Sequence, residues 1–250
     1  MMKNVGFFIL LIGLVLSSCK SDEDVNPNTA EVELHFFHYV DGVPVQLDQL
    51  IYENALDQQF SIKTIKYFIS GVKLYKDDNT TVELSDIHYV DVRTPATLSH
   101  IYSEKILSGN YTGLSFVYGL IPSENITGRF PESPESLMEW PVPMGGGYHY
   151  MKLEGEYKTP TEEDFFNFHS GMLAGTAYEI HIDLKNQPFE VVGSDVNILL
   201  NMEIQNWFTN PTDWDFAYWG GGIMGNPDAQ KTVQENGVDV FSFLVEEKTQ

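Results

Sequence analysis

From residue 31 onward, apolar side chains fall at every second position in one short run after another. That period of two decides the fold class. In Glu31–Val40, Val32, Leu34, Phe36 and His38 share one face, and His35, Phe37 and Tyr39 share the other. Such alternation suits a half-buried strand, whose successive side chains point to opposite faces of a sheet. The pattern recurs at Gly71–Tyr75, Ile87–Val92, Leu114–Tyr118, Tyr178–Leu184 and Val196–Ile204, with Val238–Val245 as the closing strand. Asp77-Asp78-Asn79, Ser108-Gly109-Asn110, Lys185-Asn186-Gln187-Pro188 and Val192-Gly193-Ser194 supply the turns between them. Helical signals are few. Asn226-Pro227-Asp228 offers an N-cap, a proline at the first helical position and an early acid, and Asn236-Gly237 a stop, which predicts a short helix over Asp228–Glu235. Thr161-Glu162-Glu163-Asp164 is a second candidate opening, for a helix running into Phe168-His169. With no repeat and no second core beyond a linker, the expected fold is all-β. It is an antiparallel β-sandwich (immunoglobulin-like) with long loops and a few short helices, one domain over residues 31–250.

The N-terminal segment stands apart from that domain. Lys3 provides a positive start, and Val5–Leu16 is apolar but short for a membrane span. Leu16-Ser17-Ser18-Cys19 resembles a bacterial lipobox, so residues 1–18 read as a signal peptide, Cys19 as the lipidation site and residues 19–30 as a tether. Cys19 is the sole cysteine. Committed to lipid, it leaves no thiol for a disulfide, a zinc site or a nucleophile. The acidic Lys20-Ser21-Asp22-Glu23-Asp24 resembles the export signal of Bacteroidetes lipoproteins, which places the domain on the outer membrane, at the cell surface or on the periplasmic face. A formal charge of −22 argues against nucleic acid, whose phosphates need Lys and Arg. The membrane is then reached through the lipid anchor rather than through charge.

Chemistry concentrates in Met138–Gly155, where Trp140, Met144, His149 and Met151 surround Gly145-Gly146-Gly147. If Tyr148–Met151 is a strand, His149 and Met151 share a face, and imidazole with thioether suits copper. An ordinary turn feeding a core strand is the plainer alternative, with Met151 as filler. His38 continues the inward stripe of the first strand, so a buried imidazole there needs a hydrogen-bond partner or a metal. His169 ends the aromatic run Phe165-Phe166-Asn167-Phe168 at a Gly-bearing loop. His88 and His100 sit beside turns, and His35 and His181 oppose apolar stripes; all four read as surface histidines. No nucleophile elbow, zinc-protease helix, phosphate loop or diagnostic carboxylate spacing is present in the sequence, which favours binding over catalysis. The aromatic loop Trp207–Trp219 is either an exposed platform for a glycan or a protein partner, without metal, or a lid over the core; the lid is preferred.

The ordered set of motifs resembles the MbnP-like copper-binding family. The matching elements are Phe36-x-His38 with Asp41-Gly42, Tyr67–Leu74, Gly109-x-Tyr111 with Tyr118-Gly119, and Met138-x-Trp140 with Gly147-Tyr148 and Leu153-Glu154-Gly155. Phe168-His169-x-Gly171 and Ile223-Met224-Gly225-Asn226 through Asn236 complete them. The resemblance implies a β-sandwich lipoprotein or secreted protein that binds copper, with a tryptophan oxidised to kynurenine by a partner di-haem peroxidase-like enzyme. Carried onto this chain, it makes His38 and His169 the ligand candidates and Trp140 the modified or pocket-lining residue. One departure stands out: the family's Trp-x-Trp has Val142 at its second position here, between Pro141 and Pro143. His149 and Met151 are the residues placed to compensate. A shared ion requires the His38 and His169 imidazoles to converge.

Overall fold

A computed structural model describes residues 28–248. Residues 1–18, expected to be a signal peptide, Cys19 and the acidic run after it lie outside the described residues. In chain order the strands are β1 (Thr29–Val40), β2 (Val43–Pro44), β3 (Tyr52–Glu53), β4 (Gln59–Phe60), β5 (Thr64–Lys76), β6 (Thr81–Leu84), β7 (His88–Asp91) and β8 (Ser99–Leu107). They continue with β9 (Gly109–Tyr118), β10 (Met151–Lys158), β11 (Glu163–Ser170), β12 (Ile180–Leu184), β13 (Phe189–Val191), β14 (Val196–Glu203) and β15 (Phe241–Glu247). Among the described residues the α-helices are α1 (Phe216–Trp219) and α2 (Pro227–Asn236), and short 3-10 turns accompany them.

Two sheets form. The smaller has the order β15-β14-β1-β2, with β8 also paired to β1. The larger runs β12-β9-β5-β10-β4-β3, with β11 on β10, β13 on β9, and β6 and β7 on β5. The expected all-β sandwich is therefore what the chain builds. Its pairing is antiparallel except at β1 and β14, which run parallel from Val32↔Val196 to Tyr39↔Glu203. The alternating stripes face the core as expected: Val32, Leu34, Phe36 and His38 from β1, Val196, Ile198, Leu200 and Met202 from β14, and Leu114, Phe116 and Tyr118 from β9 are all buried. At about 25 cal/mol per Å² of apolar surface removed from water, this shared layer between the sheets is the dominant stabilising term.

α2 confirms the expected helix. The Asn226 side chain accepts hydrogen bonds from the Asp228 and Ala229 amides, which have no partner within the helix. The second expected helix is overturned. Glu163–Ser170 is β11, paired antiparallel with β10 from Met151↔Ser170 to Lys158↔Glu163. The reason lies in its alternation, since Phe166, Phe168 and Ser170 are buried while Asn167 and His169 are only half-buried. The aromatic loop is chiefly the lid, with Trp219 half-buried and Tyr218 exposed at its end. Trp207, Phe208, Trp214 and Phe216 are fully buried, and Phe168 meets Trp214 with ring centroids 4.1 Å apart.

The larger sheet is covered on both faces. Tyr67 belongs to the main core, whereas its neighbour Phe68 packs with Tyr89, Leu120, Met138, Tyr148 and Tyr150 in a second, smaller cluster. Adjacent strand residues point to opposite faces, so this cluster lies on the outer face, beneath the segment between β9 and β10.

Candidate metal centre

The outer face of β10 and β11 carries Lys152, Glu154, Asn167 and His169, while Met151, Leu153, Phe166, Phe168 and Ser170 are buried. Over this face the segment from Met138 to His149 closes on itself. The Trp140 amide donates to the Gly147 carbonyl at 2.8 Å and the His149 amide to the Met138 carbonyl at 2.7 Å. Two glycines make the closure possible. At Gly147, in the left-handed region with φ 79°, a Cβ would lie 2.3 Å from Asn125 Oδ1; at Gly171 one would lie 2.7 Å from the Trp140 indole.

This loop lays three rings together. Trp140 and His149 have centroids 4.7 Å apart at 76°, and His149 and His169 have centroids 5.0 Å apart at 86°. His149 Nδ1 is 2.9 Å from the Met138 carbonyl and must carry the hydrogen that it donates. Its Nε2 is then a bare lone pair, buried and without a partner. Burial is the main cause that pushes His149 down to about 3, so the ring is neutral at ordinary pH. His169 Nε2 lies 2.7 Å from Glu154 Oε1 and donates to that carboxylate, so Nδ1 is the nitrogen that this bond leaves unengaged. The bond to His169 is also the leading reason that Glu154 is held at about 2.

Both imidazoles thus have one nitrogen fixed, one by a carbonyl and one by a carboxylate. Metal-ligating histidines are oriented by such partners. The spacing also suits a shared ion. With each nitrogen about 2 Å from a metal, ring centroids fall roughly 4.5–6 Å apart. The Gln230 side chain holds β11 in place from α2, donating to the His169 carbonyl at 2.7 Å and accepting from the Gly171 amide at 3.2 Å. A cleft of about 430 Å³ opens beside His169, lined also by Asn167, Gly222, Met224 and Gly225. Among the described residues, no group of three or more His, Cys, Asp or Glu side chains converges to hold a metal.

The expected residues divide between the two faces of the larger sheet. His149, His169 and Trp140 come together on the outer face. His38 and Met151 do not join them. His38 Nε2 is 3.1 Å from the Tyr67 hydroxyl, and Tyr67 is the register partner of Met151 on the inner face. The required convergence of His38 with His169 is not formed, because the sheet lies between them. Nor do His149 and Met151 share a face: β10 begins only at Met151, and Gly147–His149 before it are paired with Met138–Trp140. His88 is also less exposed than expected, stacked between Phe36 and His100. Sequence reasoning missed the roles of Glu154 and Gln230, since cross-strand register and helix docking leave no local pattern.

The comparisons with known proteins agree on one family. The MbnP family model matches residues 29–224. The structure of MbnP from Methylosinus trichosporium superposes with a TM-score of 0.57 at 13% identity, covering 88% of this chain and 99% of that one. At that identity the match speaks for the fold. No curated protein matches.

Proposed function

The chain belongs to the MbnP family, and on that premise we propose that it is a copper-binding protein of the cell envelope, held there by lipid on Cys19, whose centre is formed by His149 and His169 beside Trp140. One observation carries this reading: His149 Nε2 is buried, unprotonated and unpartnered, and its ring faces a second imidazole whose other nitrogen is likewise fixed. An unpaired buried acceptor costs about 1–3 kcal/mol, and a bound ion removes that cost. Imidazole suits copper. The role is binding rather than turnover. Trp140, packed against His149, is the residue that a di-haem peroxidase-like partner would oxidise.

The test is copper stoichiometry by equilibrium dialysis on the full chain. We expect about one ion per chain, lost in a His149→Ala, His169→Ala double variant that still folds, and retained in His38→Gln. Equal copper in the double variant would overturn the site. Palmitate labelling that persists in Cys19→Ala would overturn the anchor, and protease shaving of intact cells separates surface from periplasmic exposure.

A further inference from the structure

A larger cleft, of about 570 Å³, opens elsewhere on the outer face of the larger sheet, and its size is that of a small-molecule site. It shares no lining residue with the cleft beside His169. Strand register sets its floor. Glu83 of β6, Lys73 of β5, Ser115 of β9 and Asp183 of β12 form one row across four strands. Their sequence neighbours Leu84, Val72, Phe116 and Ile182 are buried in the main core, so this row points outward.

β5 bulges at the same place. Its register with β9 passes from Ser70↔Val117 to Lys73↔Ser115, one residue more on β5 than on β9. Gly71 takes up the difference in the left-handed region, with φ 57°. A Cβ there would lie 3.2 Å from Ile121 Cγ2, so the glycine lets Ile121 close onto the sheet as a wall. Buried Ser70 fixes that wall, its hydroxyl donating to the Gly119 carbonyl at 2.9 Å and accepting from the Ile121 amide at 3.1 Å.

Three Lys and Arg side chains line the cleft, and each is matched by an acid that also lines it. Lys73 pairs with Glu83 at 2.6 Å, Lys185 with Asp183 at 2.9 Å, and Arg129 with Glu124. The cleft is therefore balanced in a chain whose formal charge is −22. A lone anion entering it meets three carboxylates, and a lone cation meets three bases. A ligand carrying both charges can exchange partners with these pairs, which are exposed and so weakly held. Val117, Ile121 and Ile87 add apolar surface. A sugar finds no bare ring to stack on. Lys185 Nζ sits over the Tyr75 ring, 4.7 Å from its centroid, and the Tyr75 hydroxyl is bonded to Ser115 Oγ at 2.9 Å.

We propose that this cleft binds a short peptide with free termini and aliphatic side chains. Its carboxylate goes to Arg129, whose planar fork suits a carboxylate, and its ammonium to the acids of the floor row. The inference is independent of the copper reading.

Isothermal titration of the full chain tests it, with the dipeptide Leu-Leu, its N-acetyl and C-amide forms, free leucine and acetate as probes. Wild type is compared with Arg129→Gln, and thermal melts show that the variant folds. We expect Leu-Leu to bind wild type and capping at either end to weaken it roughly tenfold or more, as loss of a charge-assisted pair does. Arg129→Gln should weaken Leu-Leu similarly and bind the C-amide as well as the free acid, which a merely loosened wall would not produce. No binding of Leu-Leu, or capped forms that bind as tightly as the free one, would overturn the proposal. Acetate or free leucine binding as tightly as Leu-Leu would overturn it in favour of a simple anion or an amino acid. Undiminished preference for the free acid in Arg129→Gln would overturn the role given to Arg129.

Discussion

His38 and His149 are both withdrawn from water, and what each finds for its Nε2 separates their roles. His38 Nε2 has the Tyr67 hydroxyl, which pairs with a neutral imidazole as donor or acceptor. His149 has the Met138 carbonyl on one nitrogen and nothing on the other. Burial lowers His38 to about 4, from an ordinary value near 6.5. The neutral form is thus favoured in the fold, and the unfolded chain takes up the proton first as pH falls. The stabilisation from keeping His38 neutral is complete above about pH 6.5 and is lost as pH falls from there toward 4. At about 1.4 kcal/mol per unit, the effect is on the order of 3 kcal/mol. His38→Gln removes the titration and keeps an acceptor for Tyr67. Urea midpoints at pH 7.5 and pH 5 should therefore lie closer together in the variant than in wild type; an unchanged gap would assign that acid sensitivity to other groups.

Among the elements, α2 connects the fold to the site. Its capped start and its stop were legible in Asn226-Pro227-Asp228 and Asn236-Gly237, because capping is a local interaction between neighbours in sequence. What α2 does with Gln230 was not legible, since Gln230 reaches β11 across 61 residues of chain. Replacing Gln230 with Leu leaves the His169 carbonyl and the Gly171 amide buried without it. The expected destabilisation is roughly 1–3 kcal/mol, read as a lower urea midpoint, together with weaker copper binding through a loosened His169. Normal copper affinity in a destabilised variant would confine Gln230 to a purely structural role. β11 teaches the complementary lesson. Glu162, Glu163 and Asp164 looked like a helix opening, but the alternation of Phe166, Phe168 and Ser170 against Asn167 and His169 was the stronger signal and outweighed local propensity.

On the scale of the whole molecule, the sandwich was readable from its stripes, because each strand's burial is written in its own residues. Which sheet face a histidine reaches was not, because that depends on where a strand begins. His149 and Met151 are separated by the start of β10, and His38 and His169 by the thickness of the larger sheet. Those two placements make a test that needs no assumption about ligand number. An ion bound only by the folded chain stabilises it by about 2.7 kcal/mol when free ion is a hundredfold above Kd, a rise in Tm of roughly 5–10 °C for a domain of this size. Copper should produce that rise in wild type and in His38→Gln, and the rise should vanish in His149→Gln and in His169→Gln. The opposite result, a rise lost in His38→Gln and kept in His149→Gln, would move the centre to the inner face beside Tyr67 and Met151.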